Sequence, residues 1–323
     1  MKALALFSGG LDSMLAITTI AKQGIEVEAI HIDTGFGGSN FELLKRRANM
    51  AGASFRVVDI SSAYLQDVLL NPKYGYGKAI NPCIDCHGYM FKTALSMCED
   101  LGASFVISGE VLGQRPMSQR AQALNSVAKL SEDKDNKILR PLSAKLLAPT
   151  LPEINGWVDR EKLLDFSGRG RTRQMELANI YGYSDYESPA GGCLLTLQAY
   201  KNKIQDYLKY DTLDSQNAKL LRYGRHLRLP NNAKMIISRD EAEGIKILEL
   251  LANEKIKMSE IKTGLIGAIS LLDNNASLDD INLACSLALA YAKSPDDKEC
   301  EFKGQKYFAK ALSKNDAKKY FIV

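Results

Sequence analysis

Six residues, Ser8-Gly9-Gly10-Leu11-Asp12-Ser13, join an apolar run at Ala3–Phe7 to a helical pattern at Leu15–Lys22, and they constrain this chain most. An apolar run of that length reads as a buried strand, and the pattern after it as a helix. Two glycines at the joint let the backbone approach an anion closely, while the amides opening the helix point toward it. Ser8 and Ser13 add hydroxyl donors, and Asp12 is placed to cap the helix or hold Mg²⁺. A plain strand–helix turn needs neither two glycines nor two flanking serines. The loop is not a Walker-type P-loop, since no Gly-Lys-Ser/Thr ending follows.

The alternation continues. Val27–Ile32 reads as a second strand, Phe41–Ala51 as a helix, Ser54–Ile60 as a strand, and Ser104–Ser108 as a strand after a helix near Met90–Leu101. Strands separated by such helices predict an α/β fold, a doubly wound parallel sheet covered on both faces. Ligands bind at the carboxyl ends of the strands in such sheets. Ser8–Ser13, Asp33–Gly38 and Ser108–Gln114 all begin at such ends. The pattern from Lys162 to Tyr210 is helical, broken by a turn-rich stretch, Tyr181–Cys193. A smaller α+β domain follows, with strands at Lys234–Ser238 and Lys303–Ala309 and helices at Asp240–Ala252 and Ile281–Tyr291. The expected domains are therefore 1–214, catalytic, and 215–323.

At 323 residues with 46% hydrophobic and 25% charged content, the chain has enough apolar material to fold and is not expected to be disordered. No run of 18 apolar residues exists, and MKALALF is too short for a signal-peptide core, so a cytoplasmic protein without a membrane partner is expected. Lysine plus arginine balance aspartate plus glutamate at 24 each over residues 1–214, but stand at 18 against 14 over 215–323. The whole net charge of +4 thus lies in the last third, which permits a nucleic-acid partner.

Six cysteines are too few for a disulfide scaffold, so thiol, metal or redox chemistry is expected. Cys83 and Cys86 form a CxxC, which alone could be half a zinc site, a redox pair or two packed thiols. Cys193 ends the glycine-rich turn Ser188-Pro189-Ala190-Gly191-Gly192, where a thiol can be exposed. Cys98, Cys285 and Cys300 read as ordinary packed or surface thiols, and His31 as a strand residue.

Ser8–Ser13 resembles SGGxDS, the fingerprint of the PP-loop ATP pyrophosphatases, which cleave ATP between the α- and β-phosphates and adenylate a substrate oxygen. The resemblance implies that Ser8, Gly9, Gly10, Leu11, Asp12 and Ser13 bind ATP with Mg²⁺, and that Ile32 lies at the edge receiving adenine. The segment Asn81-Pro82-Cys83-Ile84-Asp85-Cys86-His87 is similar to NPCxxCN of the tRNA 2-thiouridylases, and the turn at Cys193 to the place of their second active cysteine. Ser108-Gly109-Glu110-Val111-Leu112-Gly113-Gln114, followed by Ser118-Gln119, resembles TGExLGQ…SQ of the tRNA 4-thiouridine synthetases. Together these imply an ATP-dependent tRNA thiolase with Ser108, Gly109 and Gln114 at the nucleotide, and with Glu110 a second, weaker candidate for Mg²⁺. Ahead of Ser8 there is none of the N-terminal RNA-binding portion usual in the 4-thiouridine synthetases, and Arg115–Met117 departs from the shared segment. The modified uridine is left unassigned.

Two sulfur chemistries suit Cys83, Cys86 and Cys193. A persulfide on one cysteine could be resolved by a second thiol, with Cys86 and Cys193 the better-matched pair. Alternatively the three thiolates hold a [4Fe–4S] cluster with one iron open, as in iron–sulfur-dependent PP-loop thiolases. The third cysteine favours the cluster. The expected partners are tRNA and a sulfur donor, either sulfide or a persulfide carrier, with a homodimer allowed. Arg169, Arg171 and Arg173 read as a phosphate clamp for RNA, with Tyr181, Tyr183 and Tyr186 near enough to stack on a base. The basic run Arg222–Arg228 and the strand and helix after it faintly resemble the RNA-binding domain of NFACT proteins. Two rival readings are a PP-loop ligase acting on a small molecule with a CxxC zinc site, and a non-catalytic nucleotide- or RNA-binding protein.

Overall fold

The computed structural model describes the chain except residues 39, 187–191, 253–255 and 294–295. It divides into two compact units, Met1–Cys193 and Leu194–Val323.

The first unit runs β1 (Lys2–Leu6), α1 (Leu11–Ala21), β2 (Glu26–Asp33), α2 (Phe41–Ala51), β3 (Ser54–Asp59), α3 (Ser61–Tyr64), α4 (Cys83–Ser96), β4 (Phe105–Ser108), α5 (Ala121–Leu130), β5 (Ile138–Leu139), α6 (Leu151–Ile154) and α7 (Thr172–Ile180). Its sheet has the order β3-β2-β1-β4-β5, every pair parallel. The chain winds outward from β1 to β3 and then returns to the other side of β1. The strand order therefore reverses between β1 and β4, and a crevice opens at the carboxyl ends of those two strands. Both β1 and β4 are apolar throughout or nearly so, as strands covered on two faces must be. Helix α1 is buried on nearly every side, so it forms the centre of one helical layer.

One element differs from the sequence expectation in a way that matters. The helix expected near Met90 begins at Cys83, immediately after Pro82, so both cysteines of the CxxC lie in its first turns. Gly88 sits inside that helix because a Cβ there would stand 2.4 Å from Leu130 Cβ, and only glycine lets α4 and α5 approach so closely.

The second unit comprises α8 (Gln198–Tyr210), α9 (Ser215–Leu220), β6 (Arg225–Arg228), β7 (Lys234–Ile237), α10 (Glu241–Leu251), β8 (Met258–Lys262), β9 (Ser270–Asp273), α11 (Leu278–Ala290), β10 (Lys298–Phe302), β11 (Gln305–Ala309) and α12 (Lys314–Ala317). Its sheet, β11-β10-β8-β9-β7-β6, is antiparallel. The units divide after Cys193, earlier than the residue 214 read from the sequence. Helix α8 belongs with this sheet because Asp206 pairs with Arg228 at 2.7 Å and Lys234 at 2.6 Å. Tyr200 also donates from α8 to the Ala218 carbonyl. Among the described residues no helix is long and apolar enough to cross a membrane.

The basic run Arg222–Arg228 is less open than expected, because it is largely strand β6. Arg225 donates to the Ser238 carbonyl, Arg228 is held by Asp206 and the Asn232 carbonyl, and His226 is buried. His226 donates from Nε2 to the Tyr223 carbonyl. Burial, with Lys203, Lys234 and Arg239 nearby, drives its pKa well below the ordinary 6.5. Below pH 6.5 the unfolded chain takes up a proton that the folded chain refuses, so this contribution to stability is present above 6.5 and lost as pH falls. Hydrogen exchange of β6 and β7 in the whole chain, corrected for intrinsic rates, should show weaker protection at pH 5 than at pH 7.5. His226→Gln should flatten the difference, and equal protection at both pH values would refute the assignment.

Candidate active site

The glycine loop lies at the crevice between β1 and β4. Gly9 has φ +78°, and Gly10 is the N-cap of α1, with no side chain to cap it. The first-turn amides of α1 are therefore not capped by a side chain at the N-cap position. Ser8 Oγ accepts from the Gly10 amide at 3.4 Å, while the Ser13 hydroxyl donates back to the Gly10 carbonyl at 2.7 Å. Ser13 thus shapes the loop in this structure. Leu11 and Ile32 are buried, so only their backbones can face a nucleotide. Arg47, which the sequence reading missed, donates to the Gly9 carbonyl at 3.3 Å and pairs with Asp185 at 3.1 Å.

The β4 end closes against this loop. A Cβ on Gly109 would fall 2.5 Å from the Asp12 carbonyl carbon and the Ser13 nitrogen, so the two backbones touch there. Ser108 Oγ accepts from the Glu110 amide at 3.3 Å. Gln114 reaches Asp12 rather than open space, donating from Nε2 to Oδ2 at 2.7 Å, and itself accepts from Gln174 at 3.0 Å. Asp12 is not a helix cap. Its Oδ1 is buried without a hydrogen-bond partner among the described residues, and Arg171 stands 3.6 Å from it.

Glu110, expected to be a second magnesium ligand, is engaged elsewhere. It is buried, accepting from His87 at 2.7 Å and from Arg140 at 2.8 Å. Burial pushes its carboxyl up, but the charges and hydrogen bonds of Arg140 and His87 outweigh that and hold it down at about 2. The network ties α4, just past Cys86, to the segment that packs on Asp12.

Cys83 and Cys86, set on the first turns of α4, meet Cys193 from the end of the unit. Cys86 is hydrogen-bonded by the Tyr64 hydroxyl, and Cys83 and Cys193 stand near enough that their thiolates, once formed, oppose ionisation of both Cys86 and Tyr64. Burial pushes the Cys86 thiol up to about 12, with the neighbouring thiols and Asp85 adding to it and Tyr64 opposing. Asn81 Nδ2 donates to Cys83 Sγ at 3.1 Å and lies 3.5 Å from Met117 Sδ. Asp85 is structural, since its carboxylate accepts from the Lys73 and Tyr74 amides and fixes the preceding loop on α4. Among the described residues, no three His, Cys, Asp or Glu side chains form a set fit for a single metal ion. Of the glycine-rich turn before Cys193, residues 188–191 lie outside the described residues. Tyr64 carried no motif, but it lies just past the carboxyl end of β3, where the rule for parallel sheets would have directed attention.

The arginine cluster separates. Arg173 pairs with Asp165 at 2.6 Å and covers the Phe166 ring, Arg171 turns to Asp12, and Arg169 is exposed. The tyrosines expected near a base pack instead. Tyr183 is buried with its hydroxyl 2.5 Å from that of Thr18, and Tyr181 and Tyr186 lie against the same core. His31 accepts its strand role, with Nδ1 3.0 Å from the Phe7 carbonyl.

Residues 1–145 match the thiamine biosynthesis protein (ThiI) family, and residues 224–320 match the NFACT protein RNA binding domain. A probable tRNA sulfurtransferase of Thermococcus kodakarensis is 29% identical over 146 residues, covering 44% of this chain and 36% of that protein. The tRNA-specific 2-thiouridylase MnmA of Syntrophomonas wolfei is 33% identical over 119 residues, covering 34% of this chain and 33% of that protein. These matches thus span about a third of the curated relatives' length. A solved 4-thiouridine synthetase–RNA complex with bound ATP aligns over 56% of this chain and 40% of that one, with 22% identity and a TM-score of 0.41. The chain carries at its N-terminal end a PP-loop domain like that of the tRNA thiouridine synthetases, and beyond it a domain like the NFACT RNA binding domain.

Proposed function

We propose that the chain is an ATP-dependent tRNA sulfurtransferase that exchanges a uridine carbonyl oxygen for sulfur. The observation that carries this reading is that one unit holds both a glycine loop opening an uncapped helix N-terminus and three converging cysteine thiols. A uracil carbonyl oxygen is a poor leaving group. It must first bond to the α-phosphorus of ATP, with pyrophosphate leaving, so that sulfur can add to the carbon and AMP depart with the oxygen. In this reading Ser8–Ser13, Ile32, Ser108 and Gly109 hold ATP, and Gln114 orients Asp12. Asp12 is the residue to hold Mg²⁺, and the unpartnered Oδ1 suits that ion.

Cys83, Cys86 and Cys193 fit a [4Fe–4S] cluster by donor type, and a cluster spreads its ligands wider than a single ion does. Bound there, it would supply an iron with a free position for an extra sulfur atom. The protein's own part is to hold three sulfurs, with Tyr64 and Asn81 donating to two of them. The persulfide route needs only Cys86 and Cys193: the outer sulfur of one goes to the base, and the other thiol closes a disulfide that a reductant must reopen. The target base must leave its stack to reach either. The basic second unit, through its NFACT-like domain, is assigned to hold the tRNA.

Supplied with unmodified tRNA and MgATP, together with sulfide for the cluster route or a persulfide donor and a reductant for the persulfide route, the chain should release AMP and pyrophosphate in equal amounts and yield thiouridine by nucleoside mass spectrometry. ATP cleavage that ignores tRNA and responds to a small-molecule acceptor would sink the proposal. After anaerobic purification and reconstitution, a colourless protein without iron or sulfide would eliminate the cluster and leave the persulfide route.

A further inference from the structure

Arg171 sits at the end of the Ser167–Arg171 turn, which is anchored to the β4 end by pairing of Leu112 with Ser167 and by the Gly168 amide donating to the Leu112 carbonyl at 2.8 Å. That anchor carries the guanidinium to the glycine loop. Its Nη2 stands 3.6 Å from Asp12 Oδ1, too far for a hydrogen bond. Both Asp12 Oδ1 and Arg171 Nε are buried, and neither has a hydrogen-bond partner among the described residues. Two opposite charges, each mostly buried, would ordinarily close into direct contact, because an unmet buried donor or acceptor is costly. Asp12 cannot swing to close the gap, since Gln114 holds its other oxygen and Gln174 holds Gln114.

We propose that Arg171 is the binding residue for the leaving pyrophosphate, and that its gap from Asp12 is the slot where a cation on Asp12 and a phosphate oxygen on Arg171 meet. This rests on reading the loop as an ATP site. When the uridine oxygen bonds to the α-phosphorus, the bond from that phosphorus to the bridging oxygen of the β-phosphate breaks. The electron pair leaves on that oxygen as pyrophosphate. A guanidinium with an unused N–H meets that growing charge with a charge-assisted hydrogen bond. This removes Arg171 from the RNA clamp read in the sequence, and it leaves Arg169 and Arg173 free of any nucleotide role.

The test is calorimetric titration of the full chain, wild type and variants, with magnesium pyrophosphate, MgATP, AMP and unmodified tRNA. Arg171→Ala should weaken pyrophosphate and ATP by about tenfold or more, as loss of a charged hydrogen bond implies. AMP and tRNA affinity should stay within about twofold, the range of an uninvolved substitution. Arg171→Lys should recover part of the loss, and Arg173→Ala should leave pyrophosphate binding unchanged. Equal losses for AMP and ATP would mean that Arg171 only shapes the loop, and a loss confined to tRNA would restore the clamp; each overturns the assignment. A wild-type chain that binds tRNA but neither ATP nor pyrophosphate would instead remove the nucleotide site and the proposed function with it.

Discussion

Cys193→Ala is expected to abolish sulfur insertion into tRNA while ATP affinity changes by less than about twofold, the range for a substitution remote from a site. Cys193 acts on Cys86 and Tyr64, whereas the contacts that shape the glycine loop come from Ser8, Ser13, Arg47 and Gln114. The two functions therefore separate by residue, though one unit carries both. Thiolated nucleoside and bound ATP, measured on the same preparation, give the comparison. Wild-type levels of thiouridine in this variant would refute the role of Cys193 in either sulfur chemistry. Cys83→Ala then divides the two. Activity should vanish if three thiolates hold a cluster, and persist if Cys86 and Cys193 work as a persulfide pair.

The first βα unit was legible because its information is local. A buried strand, two glycines and a helix start lie within twenty residues or so of each other, and each obeys a rule of backbone geometry. Helix α4 was legible only in its second half. The helix was expected only from near Met90; its first turns, with Gly88 among them, are fixed by tertiary packing, because Leu130 stands where a side chain on Gly88 would project. In the second unit β8, β9 and β10 escaped notice: β8 and β10 are short and charged on their open faces, and β9 is four residues with only Leu271 and Leu272 apolar. Arg225 and Arg228 looked like a binding patch because sequence does not reveal that Ser238 and Asp206 will engage them. The same limit applies to the site. Three cysteines could be named from their motifs, and Asn81 lies two residues from the Cys83 sulfur it donates to, but Tyr64, Arg47 and Arg171 reach it through contacts between segments far apart in the chain.

Gly109→Ala should cripple nucleotide binding without touching any group that contacts the nucleotide through a side chain. The nearest atoms to its added Cβ would be the Asp12 carbonyl carbon and the Ser13 nitrogen at 2.5 Å and the Asp12 carbonyl oxygen at 2.6 Å. All three are main-chain atoms at the start of α1, a helix buried on nearly every side, so they cannot yield as a side-chain tip would. Either the loop shifts away from its phosphate-binding position or the β4 end lifts from it. Overpacking of this kind costs about 1–3 kcal/mol of stability, and MgATP affinity should fall at least about tenfold as the amides lose their alignment. Gly10→Ala provides the contrast. Its Cβ would meet only Ser8 Oγ, at an ordinary 3.5 Å, so the fold should keep its stability while an approaching phosphate loses room. Thermal denaturation and ATP titration of the two variants separate these effects. A Gly109→Ala protein with wild-type stability and ATP affinity would show that the contact between β4 and the loop does not hold the loop in place.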